Sequence, residues 1–184
     1  MRSPTFVRWT GAAALAASLA GPALAETRSV TYTDLSASAT VEEALGAGDN
    51  LFVDTFTTRH GALYQSTSFT LSERGDMNGL AGWIIDTADG QGPLLVGVNI
   101  DILDQWRSVV ASDSFTGVLG GFGHSSFLGS LGPGSYTLVA TGDAVRDASL
   151  DISLSFTQPI PEPETYAMML GGLALLGAVA RRRR

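Results

Sequence analysis

Residues 148–157 alternate without a break. Leu150, Ile152, Leu154 and Phe156 fall on one side, and Ser149, Asp151, Ser153 and Ser155 on the other. A period of two puts every second side chain on one face of an extended chain and cannot build the stripe of a helix. The same pattern recurs at residues 50–58, with Leu51, Val53 and Thr55 opposed to Phe52, Asp54 and Phe56. It recurs again at residues 94–103, with Leu94, Val96, Val98 and Ile100 opposed to Leu95, Gly97, Asn99 and Asp101. Further strands are expected at residues 63–71, 79–86, 114–119 and 135–141. Turn signals separate them: His60-Gly61, Asp89-Gly90 and Gly132-Pro133-Gly134. About seven short strands with Gly-rich turns predict an all-β fold, an antiparallel β-sandwich or jelly-roll-like domain. Three stretches stand outside this pattern. Residues 40–45 have a short helical look ending at Gly46, and residues 104–112 read as a helical turn or a loop. Residues 117–134, dominated by Gly and Ser, read as a long surface loop.

The two ends are of another kind. Arg2 and Arg8 precede an Ala- and Leu-rich apolar run over residues 9–20. Gly21-Pro22 breaks it, and Ala23-Leu24-Ala25 fits an A-x-A cleavage site. This predicts a signal peptide over residues 1–25, removed by signal peptidase after Ala25. At the other end Pro161-Glu162-Pro163-Glu164 is followed by an uncharged apolar run over residues 166–180 and then Arg181, Arg182, Arg183 and Arg184. As a helix that run spans roughly 23 Å, short of the ~30 Å hydrocarbon core, and it would cross an inner membrane by local thinning. The arginines would stop it on the cytoplasmic side. The two prolines keep the motif extended and bar it from joining either the helix or the preceding strand.

Between the ends lies one passenger domain, residues 26–160, large enough to bury its own core. The chain has no cysteine, which excludes disulfides, thiolate metal sites and a cysteine nucleophile. Lysine is also absent. Six of the 11 basic residues lie in the two ends, leaving five arginines in the passenger. Glu162 and Glu164 lie in the tail, leaving 16 of the 18 acidic residues, so the passenger carries a net charge of −11. Such a surface disfavours nucleic acid and anionic lipid as partners and keeps an exported protein soluble.

The order P-E-P, apolar helix, Arg cluster resembles the PEP-CTERM sorting signal of Gram-negative bacteria. The resemblance implies recognition by an exosortase, an integral-membrane cysteine transpeptidase that cuts near the motif. It also implies release or transfer to the cell surface, in bacteria that make exopolysaccharide. Pro161, Glu162 and Pro163 would then be substrate residues for another enzyme. Two passenger patterns are similar to a subgroup of these proteins: Phe52-Val53-Asp54-Thr55-Phe56, of the form F-x-D-x-F, and Leu131-Gly132-Pro133-Gly134-Ser135-Tyr136-Thr137-Leu138 followed by Gly142. The resemblance names a sorting route and brings no activity.

The passenger offers few residues with chemistry. Asp54, between two phenylalanines, reads as a structural carboxylate that caps backbone amides or pairs with Arg59 or Arg146, since burying it alone is costly. Asp86, Asp89, Asp101, Asp104 and Asp113 lie at strand ends or in loops, where calcium finds oxygen ligands. No D-x-D-x-D-G loop is present, and these are also ordinary turn residues. No cofactor is therefore expected, with Ca2+ as the alternative. His60 and His124 lack zinc spacing, and Ser125 beside His124 has no G-x-S-x-G elbow around it. Among Trp83, Trp106 and Tyr64, Trp83 reads as core. Trp106, in Asp104-Gln105-Trp106-Arg107, is the candidate ring for stacking on a sugar. The sequence thus points to a non-enzymatic, exosortase-processed surface or matrix protein associated with exopolysaccharide. The alternatives are a carbohydrate-binding module and a small secreted hydrolase.

Overall fold

The computed structural model describes residues 25–85, 92–158, 168–173 and 180–181. Their strands are β1 (Thr27–Tyr32), β2 (Ser36–Thr40), β3 (Asn50–Thr57), β4 (Gly61–Leu71), β5 (Gly75–Ile84), β6 (Leu95–Asp104), β7 (Val109–Ser112), β8 (Ser114–Leu119), β9 (Phe122–Leu131), β10 (Gly134–Ala144) and β11 (Ala148–Thr157). They form two sheets. Sheet A has the order β1-β3-β11-β5-β9-β8, and sheet B has the order β2-β4-β10-β6-β7. The passenger is all-β, and its apolar faces close on one core that draws on both sheets.

The alternation sets which side chains enter that core. Leu150, Ile152, Leu154 and Phe156 of β11 are buried, as are Leu51 and Val53 of β3. Phe69 of sheet B meets Phe156 of sheet A with ring centroids 5.8 Å apart. A second seam between the sheets is polar. Thr55 donates to Gln65 Oε1 at 2.6 Å, and Gln65 Nε2 donates to the Asp34 carbonyl at 2.9 Å. The Tyr32 hydroxyl reaches the Ser66 carbonyl and Thr67 Oγ1 at 3.0 and 2.8 Å. These buried polar groups have partners, so they add orientation without the cost of unmet hydrogen bonds.

The sheets are not purely antiparallel. β1 pairs with β3, and β2 with β4, in parallel, while the remaining pairs are antiparallel. The first two strands are edge strands of different sheets, and Arg28–Val30 of β1 share a cleft with residues 40–43 at the end of β2. A parallel neighbour needs a crossover, and the path from β1 to β3 supplies it by passing through β2 on the other sheet. β1 and β2 are short and rich in Ser, Thr and Ala, which hides them from a hydropathy pattern.

Four other expectations change. Residues 40–45 are not helical: β2 ends at Thr40, and Leu45 is a buried bridge partner of Leu71. Residues 104–112 form a tight turn followed by β7. Residues 117–134 are not a loop but the end of β8 and all of β9. Their small residues answer large neighbours: a Cβ on Gly123 would sit 2.5 Å from Ile85 and 2.8 Å from Trp83. In β6 the alternation changes parity, because Leu95 and Ile100 are both buried. Gly97 has φ +61° and lies where the β6–β10 register shifts, a bulge that flips the face.

Candidate functional site

The outer face of sheet B is lined with hydroxyls. Strand register sets Thr40, Ser68, Thr137 and Leu103 side by side in one row, and Ser38, Ser66, Val139 and Asp101 in the next. A cleft of about 330 Å3 runs over these rows. It is lined by Tyr64, Ser66, Ser68, Leu103, Asp104, Arg107, Thr137 and Val139. Ser68 and Thr137 hydroxyls lie 3.4 Å apart on its floor, and the Tyr64 ring stands 52% exposed at the row of Ser36 and Thr141.

The turn between β6 and β7 borders this cleft and carries Trp106, which is 76% exposed. Trp106 does not line the cleft itself; its neighbours Asp104 and Arg107 do. Asp104 builds the turn: its Oδ1 accepts from the amides of Trp106 at 2.9 Å and Ser108 at 2.8 Å, and its carbonyl accepts from the Arg107 amide at 2.9 Å. Arg107 takes the left-handed backbone, φ 64°, which costs a side-chain-bearing residue about 1 kcal/mol. The turn is therefore held in shape by one carboxylate while a large ring points to water. Trp83, by contrast, is core.

The outer face of sheet A differs. Phe52, Asp54 and Phe56 of β3 point outward, so Asp54 is not buried between rings. It stands directly opposite Asp151 of β11, and the row continues through Gly82 to His124. Phe52, Asp54, Leu80, Gly82, His124 and Asp151 share a shallow cleft of about 260 Å3. Of the two arginines weighed as partners for Asp54, Arg59 pairs with Asp34 at 2.9 Å, and Arg146 donates to the Gly92 carbonyl. Partial burial of the Asp151 carboxyl, and then the charge of Asp54, raise its pKa above the ordinary value of 3.8. A raised carboxylate pKa means the folded state holds the proton more tightly. This group therefore adds stability as pH falls through the folded pKa, and that contribution is lost at neutral pH. Asp151→Asn is expected to stabilise the fold at pH 7 by roughly 0.5 kcal/mol or less, because water screens the site, and so to raise the melting temperature slightly. The gain should vanish below pH 3.8; thermal melts at the two pH values check it, and an equal gain at both would refute the acid-pair account.

His124 and Ser125 diverge, since adjacent residues of β9 face opposite sides: His124 lines the outer cleft and Ser125 is buried in the core. The pair cannot act as nucleophile and base. Of the acidic positions weighed for calcium, Asp86 and Asp89 lie outside the described residues. Asp101 accepts from Asn99 and Ser112, and Asp113 from the Ile100 amide, while Asp104 shapes its turn. Among the described residues no group of three or more His, Asp or Glu could hold a metal.

The sorting residues are mostly beyond reach of the geometry. Ala23, Pro161, Glu162, Pro163, Arg182, Arg183 and Arg184 lie outside the described residues, while Ala25 is described and exposed. Of the helix expected over 166–180, residues 168–173 are helical and exposed, and Ala180 and Arg181 are helical. Among the described residues no helix is long and apolar enough to cross a membrane.

Comparison with known proteins addresses the tail most directly. A family model described as the PEP-CTERM protein-sorting motif matches residues 159–184. No curated protein matches the chain. Among solved structures the fold is similar to the pre-peptidase C-terminal domain of a collagenase from Bacillus anthracis, at 12% identity and a TM-score of 0.43, over 65% of this chain and 96% of that one. The motif match agrees with the order of proline pair, apolar run and arginines read from the residues themselves. Residues 159–184 are thus a PEP-CTERM protein-sorting motif, which indicates an exported protein sorted by way of an exosortase.

Proposed function

We propose that the mature domain is a non-enzymatic component of the extracellular polysaccharide layer and that it binds glycan through the outer face of sheet B. One observation carries this: a cleft that holds the hydroxyls of Ser66, Ser68 and Thr137 is lined by the exposed ring of Tyr64 and bordered by the turn that carries the exposed Trp106. Sugars present hydroxyls and apolar C–H faces, and this surface offers hydrogen-bonding partners for the first and aromatic faces for the second. The route is signal peptidase cleavage after Ala25, a stay in the inner membrane by residues 166–180, and exosortase cutting near Pro161. The product is a surface-held or released domain without a cofactor. Binding is preferred to hydrolysis on this face because the cleft is lined by one carboxylate, Asp104, whose Oδ1 already accepts from the amides of Trp106 and Ser108.

Trp106→Ala is expected to weaken binding to the host's own exopolysaccharide by roughly tenfold, the loss of about one stacking contact. Affinity electrophoresis in gels containing the polysaccharide measures it. Because Trp106 is exposed, its removal should leave the melting temperature unchanged. A wild-type protein that binds no polysaccharide, or a variant that binds as well as wild type, would end this reading.

A further inference from the structure

We infer that β8 is a pairing edge for a second copy of this chain, and that two copies join their six-stranded sheets through antiparallel β8 strands. Among the described residues β8 is the last strand of sheet A and is bonded to β9 on one side only. Its other side presents unpaired backbone donors and acceptors, a template for another strand.

The edges of this sandwich are protected unequally. β1 carries Arg28, ion-paired to Glu26 and Glu43. β2 is five residues long and runs between Asp34 and Glu42. β7 is four residues long and lies between Arg107 and Asp113. Short strands and flanking charge are the usual means of blunting an edge. β8 itself has neither charge nor proline: Asp113, just before it, turns back to accept from the Ile100 amide, and between Asp113 and Asp143 the chain carries no Asp, Glu, Lys or Arg.

That gap also selects the partner. The passenger carries a net charge of −11 (five arginines against 16 acidic residues), so two copies repel over most of their surface. The β8–β9 end is the uncharged part, where two copies can meet without setting carboxylates against each other. It is apolar as well. Register places Phe115 and Val118 on the core side of the sheet, opposite Ser125 and Gly123, and Leu119 on the outer side, opposite Phe122. Phe115, Val118, Leu119, Phe122 and, on β5, Leu80 are all exposed. At about 100 Å2 each, these side chains and the strand backbone would bury on the order of 1,200 Å2 in a two-fold pair, near the lower bound of a specific interface. A strand pairing with its own copy is isologous, so it closes at two and does not grow into a fibre.

Sedimentation of the secreted protein, purified from its host and freed of polysaccharide, tests this. The mass is expected to pass from one chain to two as concentration rises. Val118→Lys and Leu119→Lys, each with an unchanged melting temperature, should hold it at one chain. The absence of native cysteine gives a second test that does not depend on those variants. Thr116→Cys should form a covalent dimer on mild oxidation, and Ser29→Cys on β1 should not. A single-chain mass at every concentration overturns the inference. So does a dimer that survives both lysine variants, or one that cross-links as readily through residue 29.

Discussion

Replacing Pro161, Glu162 and Pro163 together by alanine is expected to leave the protein uncut and associated with the membrane in its own host. The argument is conformational first. A proline fixes its own φ, lacks a donor and pushes the residue before it out of the helical region. By these rules Pro161-Glu162-Pro163 is expected to resist joining a helix. A transpeptidase needs its substrate backbone extended and accessible. Alanine is the best helix former, so the variant lets the helix grow back through the cutting site, and it also removes the Glu162 carboxylate. Intact mass and fractionation give the answer. Wild type should appear outside the cell without residues 1–25 and without its terminal arginines. The variant should keep Arg181 to Arg184 and stay with the membrane. A variant of normal mature mass in the medium would show that the motif is not what the exosortase reads.

Gly79→Ala is expected to destabilise the domain by about 3 kcal/mol, lowering the melting temperature by roughly 10 °C. Gly79 lies in the middle of β5, between Leu154 of β11 and Phe127 of β9. A Cβ built on it would fall 1.9, 2.2 and 2.4 Å from three atoms of the Phe127 ring. The ring covers the glycine directly, and no left-handed backbone is involved. Phe127 is only 3% exposed and sits in a closed core, so it cannot swing away without displacing its neighbours. Gly132→Ala is the control, because nothing lies within 4 Å of its added carbon. It should be neutral or slightly stabilising. In a Phe127→Leu background the Gly79→Ala penalty should shrink, the signature of two residues coupled by contact. An unchanged penalty there would place the cause elsewhere.

These two predictions rest on opposite degrees of legibility. The tail could be read outright, because its information is the order of residue types along the chain. β11 could be read too, since residues 148–157 turn one face to the core and the other outward and alternate without a bulge. β6 was misread in parity because a single glycine with positive φ reverses the faces, and Gly97 looks like any other strand residue in sequence. β9 was missed because its small residues were selected by neighbours far along the chain: Trp83 and Ile85 above Gly123, and Gly79 beneath Phe127. The candidate site divides in the same way. Trp106 and Tyr64 stood out by type, and polar neighbours marked Trp106 as exposed. The hydroxyl rows could not be seen, because each row takes one residue from each of three or four strands, joined only by register.

The place of β11 also bears on when this domain can exist. It is the last of the described strands along the chain, yet it lies in the interior of sheet A with β3 on one side and β5 on the other. Export delivers the chain from its N-terminus, so β3 and β5 reach the outside with a strand's width missing between them. Sheet A cannot close, nor can the core that β11 fills with Leu150, Ile152, Leu154 and Phe156, until residue 157 has emerged. The next residues to follow are those of the sorting motif, 159–184. Completion of the fold and delivery of the sorting motif therefore follow one another closely. The order of strands makes a finished domain the thing that is handed to the processing enzyme.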